Sequence, residues 1–155
     1  MQVDFDEISL NVNNKSYRLI GSGSGRFVFD LENGYVAKMA KNKKGFAQNS
    51  VEKQIAAIDH SDLFAKIEAV SEDLKYVIME KADKVNHMSE VWEYFHVRNN
   101  RELFRLKELN EIITEYQLLL PDLYRPYSWG LVKNRPVIID FGFTREVRRK
   151  YYPPF

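Results

Sequence analysis

The chain has 155 residues, of which 45% are hydrophobic and 29% are charged, and its formal net charge is +1. This length corresponds to one domain of roughly 100–200 residues, and the composition excludes a disordered, collagen-like or coiled-coil protein. The near-zero net charge excludes a strongly basic nucleic-acid-binding protein, and the absence of cysteine excludes disulfides and thiolate-ligated metals.

Three short strands are predicted near the start of the chain. The β-rich runs 17–20, 27–31 and 35–39 are separated by Gly21-Ser22-Gly23-Ser24-Gly25 and by Glu32-Asn33-Gly34. Asn-Gly between two β-rich runs favours a type I′ turn with positive φ at both residues. We therefore expect an antiparallel meander of three strands.

A helix and two more strands are predicted next. Apolar residues recur at steps of four and three from Val51 to Ile58, which predicts a helix over residues 47–59. The runs 64–70 and 74–79 are bounded by turn residues and predict two further strands.

Helices predominate in the second half. A short apolar stripe over 88–95 and a longer one from Leu103 to Leu120 predict two helices, and the longer one ends at Pro121. A loop rich in Pro, Tyr and Trp follows, and the short buried strand 137–139 leads directly into Asp140-Phe141-Gly142.

The glycine-rich hairpin and the strand after it carry the first candidate site residues. Gly21, Gly23 and Gly25 would let backbone N–H groups approach phosphate oxygens, although such a stretch is also common as an ordinary flexible loop. Lys38 lies in an apolar strand, where it either meets an anion or reaches solvent. Glu52 is its candidate partner, and a solvated helix glutamate is the alternative.

Two aspartates of the second half are the other candidates. Asp140 stands at the end of a buried strand, where a metal ligand is expected, although a plain turn at the end of the strand is equally compatible. Asp122 opens the aromatic loop, where a general base or a substrate-orienting carboxylate is expected. The alternative for Asp122 is a turn residue after Pro121.

The order of these features resembles the protein-kinase-like superfamily, and more narrowly the minimal kinase-like proteins of bacteria and phages. The glycine-rich hairpin, strand lysine, helix glutamate, loop aspartate and Asp-Phe-Gly motif (DFG) follow one another between residues 17 and 144. The resemblance implies a single α+β domain over residues 1–155 with two lobes. The N-lobe, about 1–82, would be a five-stranded antiparallel sheet with one helix, and the truncated C-lobe, about 83–155, would be mainly helical.

The resemblance implies ATP and Mg²⁺ as cofactors and assigns residues to the nucleotide. Those residues would be Gly21, Gly23, Gly25, Val28, Lys38, Met79, Glu80 and Ala82. Lys38 would hold the α- and β-phosphates and pair with Glu52. Met79 would be the gatekeeper, and the backbone of 80–82 would bind the adenine.

The resemblance also assigns catalysis and metal binding, with departures from the family pattern. Asp122 would be the catalytic-loop carboxylate, acting with Lys38 and Glu52, and Asp140 would bind Mg²⁺. The usual His-Arg before the catalytic Asp is missing, and so is the catalytic-loop Asn. A gapless alignment puts Tyr127 in place of that Asn, whereas an alignment anchored on the next Trp-Gly puts Ser128 there as a neutral metal ligand.

Two functions follow from this resemblance. The first is an ATP-dependent phosphotransferase, of the Ser/Thr protein kinase type with a protein substrate, or with a small molecule as acceptor. The alternative is a catalytically weak or dead pseudokinase that binds a nucleotide or a protein partner. The basic run 145–150 is typical of a solvated tail or a short helix, so nucleic acid is not expected as a partner. No apolar run approaches the ~18 residues of a membrane helix, and we expect a cytoplasmic protein.

Overall fold

The computed structural model describes residues 2–152. The chain divides into two compact units, Met1–Ala56 with Lys66–Lys81 and Ala57–Ala65 with Ala82–Phe155. The predicted domain of 1–155 includes Met1 and residues 153–155, which lie outside the described residues, and its division into lobes at about residue 82 stays a prediction. No helix within 2–152 combines the length and apolarity needed to cross a membrane.

The first unit is built on a five-stranded antiparallel sheet, so the predicted α+β class and sheet are confirmed. Its strands are β1 (Arg18–Ser22), β2 (Arg26–Asp30), β3 (Tyr35–Ala40), β4 (Ile67–Val70) and β5 (Tyr76–Glu80). They lie in the order β1-β2-β3-β5-β4 across the sheet. The helices are α1 (Phe5–Asn13) and α2 (Lys43–Ile58), so α2 begins four residues earlier than predicted.

Helix α1 was not predicted, and the expectation of one helix beside this sheet is therefore wrong. The side chain of Asp4 caps it by accepting from two backbone N–H groups of its first turn. Ile8 of α1 is buried in a cluster with Ala37 of β3 and Ile78 of β5. Because side chains alternate along a strand, Lys38 points to the opposite face from Ala37.

The connection between β2 and β3 differs from the predicted type I′ turn. Four residues, 31–34, join the strands, and positive φ occurs at Glu32 (58°) and Gly34 (90°) but not at Asn33. The side chain of Asn33 instead accepts a hydrogen bond from the Tyr35 N–H at 3.1 Å. An Asn side chain that bonds the backbone two residues on makes its own turn, which removes the need for a left-handed φ there.

The second unit combines short helices with a small antiparallel sheet. Its helices are α3 (Met88–Phe95), α4 (Asn100–Leu103), α5 (Lys107–Tyr116), α6 (Leu120–Leu123) and α7 (Arg145–Tyr151), with a 3-10 turn at Pro126–Ser128. Its strands are β6 (Asp83–Lys84), β7 (Trp129–Val132) and β8 (Arg135–Ile138), in that order across the sheet.

The predicted long helix from Leu103 to Leu120 is wrong, because three short helices take its place. Helix α5 ends where Gln117 adopts a left-handed conformation with φ of 53°. Pro121 does not end a helix but lies in the first turn of α6, where its missing N–H costs nothing. The apolar spacing is still satisfied, since each short helix turns its own apolar side chains inward.

Candidate functional site

Lys38 and Glu52 form a buried ion pair in the first unit. The Lys38 Nζ lies 3.1 and 3.0 Å from the two carboxylate oxygens of Glu52, and 7% of the lysine side chain and 0% of the glutamate side chain are exposed. Strand β3 supplies the lysine and helix α2 supplies the glutamate. The pairing implied by the kinase-like resemblance is present. The alternatives, a lysine that reaches solvent and a solvated helix glutamate, are wrong because both side chains are buried.

Arg26 is a second cation on the same carboxylate, and it is not among the site residues predicted from the sequence. Its Nη1 lies 2.7 Å from Oε1 of Glu52 and its Nη2 lies 3.0 Å from Oε2, which is a bidentate pair. Since Arg26 begins β2, one carboxylate joins β2, β3 and α2. A signal was present in the sequence: the pattern G-x-G-x-x-G-x-V counted from Gly21 places Arg26 where the third glycine would stand.

Asn49 extends this network one helical turn before Glu52. Its Oδ1 accepts from Arg26 Nη1 at 3.1 Å, and its Nδ2 donates to the carbonyls of Leu74 and Lys75 at 2.8 and 3.2 Å. Asn49 is fully buried, so its amide fixes both the guanidinium and the turn before β5. The network is therefore held from the helix and from the sheet.

The pKa of Glu52 results from two opposing effects. Burial is the largest and raises the pKa, whereas the charges of Arg26 and Lys38 and their hydrogen bonds lower it, and the outcome is about 2. The carboxylate is therefore ionised at neutral pH, and both cations lie against a fixed negative charge.

The glycine-rich hairpin is hydrogen-bonded to the two residues that precede α2. The Lys41 N–H donates to the Gly25 carbonyl at 2.8 Å, and the Lys41 Nζ donates to the Gly23 carbonyl at 2.5 Å. The Asn42 side chain donates to the Ser24 carbonyl at 2.9 Å. These carbonyls are held by protein donors, which fixes the course of the hairpin turn.

The three predicted glycines differ in whether the surrounding atoms leave room for a side chain. A Cβ on Gly25 would lie 2.6 Å from the Gln48 side chain and 3.1 Å from the Gly45 N, so close packing on α2 requires this glycine. A Cβ on Gly21 would make only ordinary contact with Val28, and one on Gly23 would meet nothing within 4 Å. Local packing therefore does not account for Gly21 or Gly23.

The residues predicted to bind the adenine belong to different units. Met79 and Glu80 end β5 in the first unit, where Met79 is buried and the Glu80 N–H donates to the Lys66 carbonyl at 2.9 Å. Ala82 belongs to the second unit, where a Cβ on Gly130 would lie 2.5 Å from the Ala82 Cβ. Their roles toward a nucleotide stay predictions.

Asp122 lies within the electrostatic reach of Asp140 in the second unit. Asp122 is the third residue of α6, and Asp140 follows the end of β8 by two residues. Burial first, and then the charge of Asp140, raise the pKa of Asp122, while the nearby guanidinium groups of Arg125 and Arg148 oppose this rise. The two predicted aspartates are therefore close enough for their charges to interact.

Ser128 ends the 3-10 turn after α6 and is hydrogen-bonded back to Asp122 of that helix. Its Oγ donates to the Asp122 carbonyl at 2.7 Å, and its own carbonyl accepts from the Ile139 N–H at 2.8 Å. Ser128 is buried, whereas 61% of Tyr127 is exposed. Of the two alternatives from the sequence, Ser128 is the one that lies against Asp122, and its part in metal binding stays a prediction.

The donor set fits Mg²⁺ that arrives with a nucleotide. Within residues 2–152, no group of three or more His, Asp or Glu side chains is arranged to hold a metal ion. Asp140 would supply one carboxylate and Ser128 one hydroxyl oxygen, so the other coordination positions would be left to water and phosphate oxygens. Mg²⁺ commonly takes one or two carboxylates and completes its shell with water and substrate phosphates.

The similarity of this chain to known proteins is a similarity to solved structures. No protein-family model matches the chain, and no curated protein matches it. The chain is similar to APH(2'')-IIa in its ternary complex with streptomycin and ATP, with 16% identity, 92% of this chain and 72% of that chain covered, and a TM-score of 0.48. The complex of APH(2'')-IIa with gentamicin gives 16% identity, 92% and 71% coverage, and a TM-score of 0.47. Similarity at this level supports no functional inference by itself.

Proposed function

We propose that this chain is an ATP- and Mg²⁺-dependent phosphotransferase of the protein-kinase-like type. The observation that carries the proposal is the buried ion pair between Lys38 and Glu52. A buried ion pair contributes little net stability, because desolvation of both charges offsets their attraction. A contribution to stability therefore does not explain why this pair is buried. A role in holding the Lys38 ammonium in place for phosphate oxygens does explain it.

The chemistry of phosphoryl transfer consists mostly of positioning and charge neutralisation, which these residues can supply. Lys38 would bind phosphate oxygens, and the backbone at Gly21 and Gly23 would approach them without an intervening Cβ. Mg²⁺, when bound, would neutralise phosphate charge, and Asp140 and Ser128 would hold it. Asp122, with its raised pKa, would orient the acceptor hydroxyl and accept its proton.

The resemblance predicts a Ser or Thr hydroxyl of a protein as acceptor, and that prediction is kept as part of the proposal. The second candidate is a pseudokinase that binds nucleotide without efficient transfer. The observation that favours it is Ser128, which stands for the missing Asn and whose hydroxyl already donates to the Asp122 carbonyl. A hydroxyl oxygen is a weaker Mg²⁺ ligand than the amide oxygen of that Asn would be.

A titration with Mg²⁺-ATP, read by thermal unfolding, tests the proposal. At a hundredfold excess over the dissociation constant, the ligand should stabilise the wild type by about 2.7 kcal/mol. Lys38→Met should remove most of this effect, and Asp140→Asn should remove its dependence on Mg²⁺. The exposed residues Lys53 and Asp83 provide matched controls, since Lys53→Met and Asp83→Asn should leave the titration unchanged.

The same samples separate the two candidate functions. Transfer of labelled phosphate to the protein itself, to an added protein or to a small molecule supports the enzyme. Stabilisation by Mg²⁺-ATP without any transfer supports the pseudokinase. A wild type whose unfolding does not respond to Mg²⁺-ATP contradicts both the enzyme and a nucleotide-binding pseudokinase, and together with a stable protein partner it supports a pseudokinase that binds only protein.

A further inference from the structure

We propose that a cavity between α4 and α6 binds an acidic side chain of the protein acceptor, so that phosphate is transferred preferentially to hydroxyls in acidic segments. The proposal rests on the phosphotransferase function proposed above and names its acceptor class. The cavity has a volume of about 430 Å³, within the range of ligand sites, and lies in the second unit. Its lining residues are Asn100, Arg101, Phe104, Arg105, Leu120 and Tyr124.

The walls of the cavity are held by contacts that do not involve its arginine side chains. The rings of Phe104 and Tyr124 pack with their centroids 5.3 Å apart. The Oδ1 of Asn100 accepts from the Trp92 Nε1 at 2.8 Å, and its Nδ2 donates to the Tyr124 carbonyl at 3.5 Å. Helices α4 and α6 are therefore joined independently of the arginines, and substitution of the arginines should leave the cavity in place.

The charge of the cavity comes from two exposed guanidinium groups. Arg101 and Arg105 are four residues apart, in α4 and the turn that follows it. Among residues 2–152, no carboxylate forms an ion pair with either of them, and the carboxylate of Glu102 pairs with Arg98 at 3.0 Å. None of the six lining residues is acidic. A guanidinium matches the geometry of a carboxylate, so the cavity is complementary to an Asp or Glu side chain from another molecule.

Positive charge is also present on the side of α6 that carries the proposed catalytic carboxylate. The guanidinium groups of Arg125 and Arg148 act on Asp122 and oppose the rise of its pKa. The whole chain has a net charge of only +1, so this concentration of arginines around α6 is a local feature. An acidic acceptor segment would therefore be attracted to both sides of the helix.

The position of the cavity predicts where the acidic residue of the acceptor stands. Leu120 and Tyr124 are four residues apart and share one side of α6, whereas Asp122, two residues from each, lies on the other side. A helix with its side chains is about 10–12 Å wide, and an extended chain covers roughly 3.4 Å per residue. An acidic side chain in the cavity would therefore stand at least about three positions from the hydroxyl that meets Asp122.

The test measures kcat/KM with Mg²⁺-ATP for three peptides that contain one Ser among alanines. They carry Glu, Gln or Lys three to five positions away on both sides of the Ser. The wild type should prefer the Glu peptide to the Gln peptide by at least about tenfold. Arg101→Gln/Arg105→Gln should bring this ratio close to one, and Arg101→Glu/Arg105→Glu should make the Lys peptide better than the Glu peptide.

A matched control separates the cavity from the general charge of the protein. Lys15→Gln/Lys53→Gln removes the same number of exposed positive charges from the first unit and should keep the wild-type ratio. Because Arg101 and Arg105 are exposed, their variants should unfold at the wild-type midpoint. If a double variant does not fold, Arg105→Gln decides, and its ratio should fall by at least about threefold.

Several results would overturn the acceptor site while leaving the proposed function intact. They are transfer by the wild type without preference for Glu, a preference that survives in Arg101→Gln/Arg105→Gln, and an equal loss of preference in the lysine control. Displacement of the Glu peptide by single-stranded RNA at a lower concentration than by the peptide itself would assign the cavity to nucleic acid and would also overturn it. A wild type that binds no Mg²⁺-ATP, or that transfers phosphate to no acceptor, would overturn the phosphotransferase and this inference with it.

Discussion

Protonation of Glu52 should control part of the acid stability of this protein. The pKa of this carboxyl is about 2 in the folded chain, against an ordinary value of 4.5. The unfolded chain therefore binds the proton more tightly than the folded chain does. The contribution of Glu52 to the free energy of unfolding is complete above pH ~4.5 and is lost as the pH falls through ~2. At about 1.36 kcal/mol per tenfold difference in proton affinity, this contribution is about 3 kcal/mol.

Glu52→Gln removes this titration. The variant leaves Arg26 and Lys38 buried beside an uncharged amide, so it should lose about 3–5 kcal/mol of unfolding free energy at neutral pH. Because the wild type alone loses the Glu52 contribution in acid, the difference between the two proteins should shrink by up to about 3 kcal/mol between pH 5 and pH 2.

Urea unfolding at a series of pH values measures this difference. Glu72→Gln is the matched control, since Glu72 is exposed in the turn before β5 and its substitution should give a curve parallel to that of the wild type. A constant difference between wild type and Glu52→Gln from pH 5 to pH 2 would refute the reasoning. It would mean that Glu52 has the same proton affinity in the folded and unfolded chains.

Three further substitutions test the close packing of hairpin and helix and the cap of α1, each measured by chemical unfolding. Gly45→Ala would put a Cβ 2.0 Å from the Gly25 carbonyl oxygen. The clash should outweigh the ~1 kcal/mol by which alanine favours a helix over glycine, so the protein should be destabilised by about 1–3 kcal/mol. Gly23→Ala meets open space and should stay within about 0.5 kcal/mol of wild type; similar values for both alanines would contradict the close approach of hairpin and helix. Asp4→Ala removes the side chain that caps α1 and should cost about 1 kcal/mol, whereas an unchanged midpoint would show that α1 does not depend on this cap.

The parts of the fold that were predictable depend on short-range signals. Strands β1, β2 and β3 are marked by β-rich runs between turn residues, and those signals lie within a few residues of the structure they produce. The pairing of Lys38 with Glu52 was predictable only through the order of motifs along the chain. Neither residue alone distinguishes a buried pair from two solvated side chains.

The helices of the second half show where local signals fail. The same apolar spacing from Leu103 to Leu120 is satisfied by one long helix or by several short ones that pack separately. The chain leaves the helical conformation before α5 at Leu106, whose ψ is 135°, and after α5 at Gln117, which takes a left-handed conformation that its residue type does not favour. Packing of the surrounding segments overrides propensity at such a position.

The amino-acid sequence alone determined the strand-rich first half, because turn chemistry and strand alternation act between near neighbours. It also showed the order of the glycine hairpin, Lys38, Glu52, Asp122 and Asp140, on which the kinase-like resemblance depends. Only the tertiary structure decided that Glu52 is shared with Arg26. The three charged side chains come from β2, β3 and α2, and burial of one carboxylate among them depends on how those elements pack. A local sequence pattern does not show that packing, since the exclusion of water that strengthens the attraction of two cations for one carboxylate depends on residues far apart in the chain.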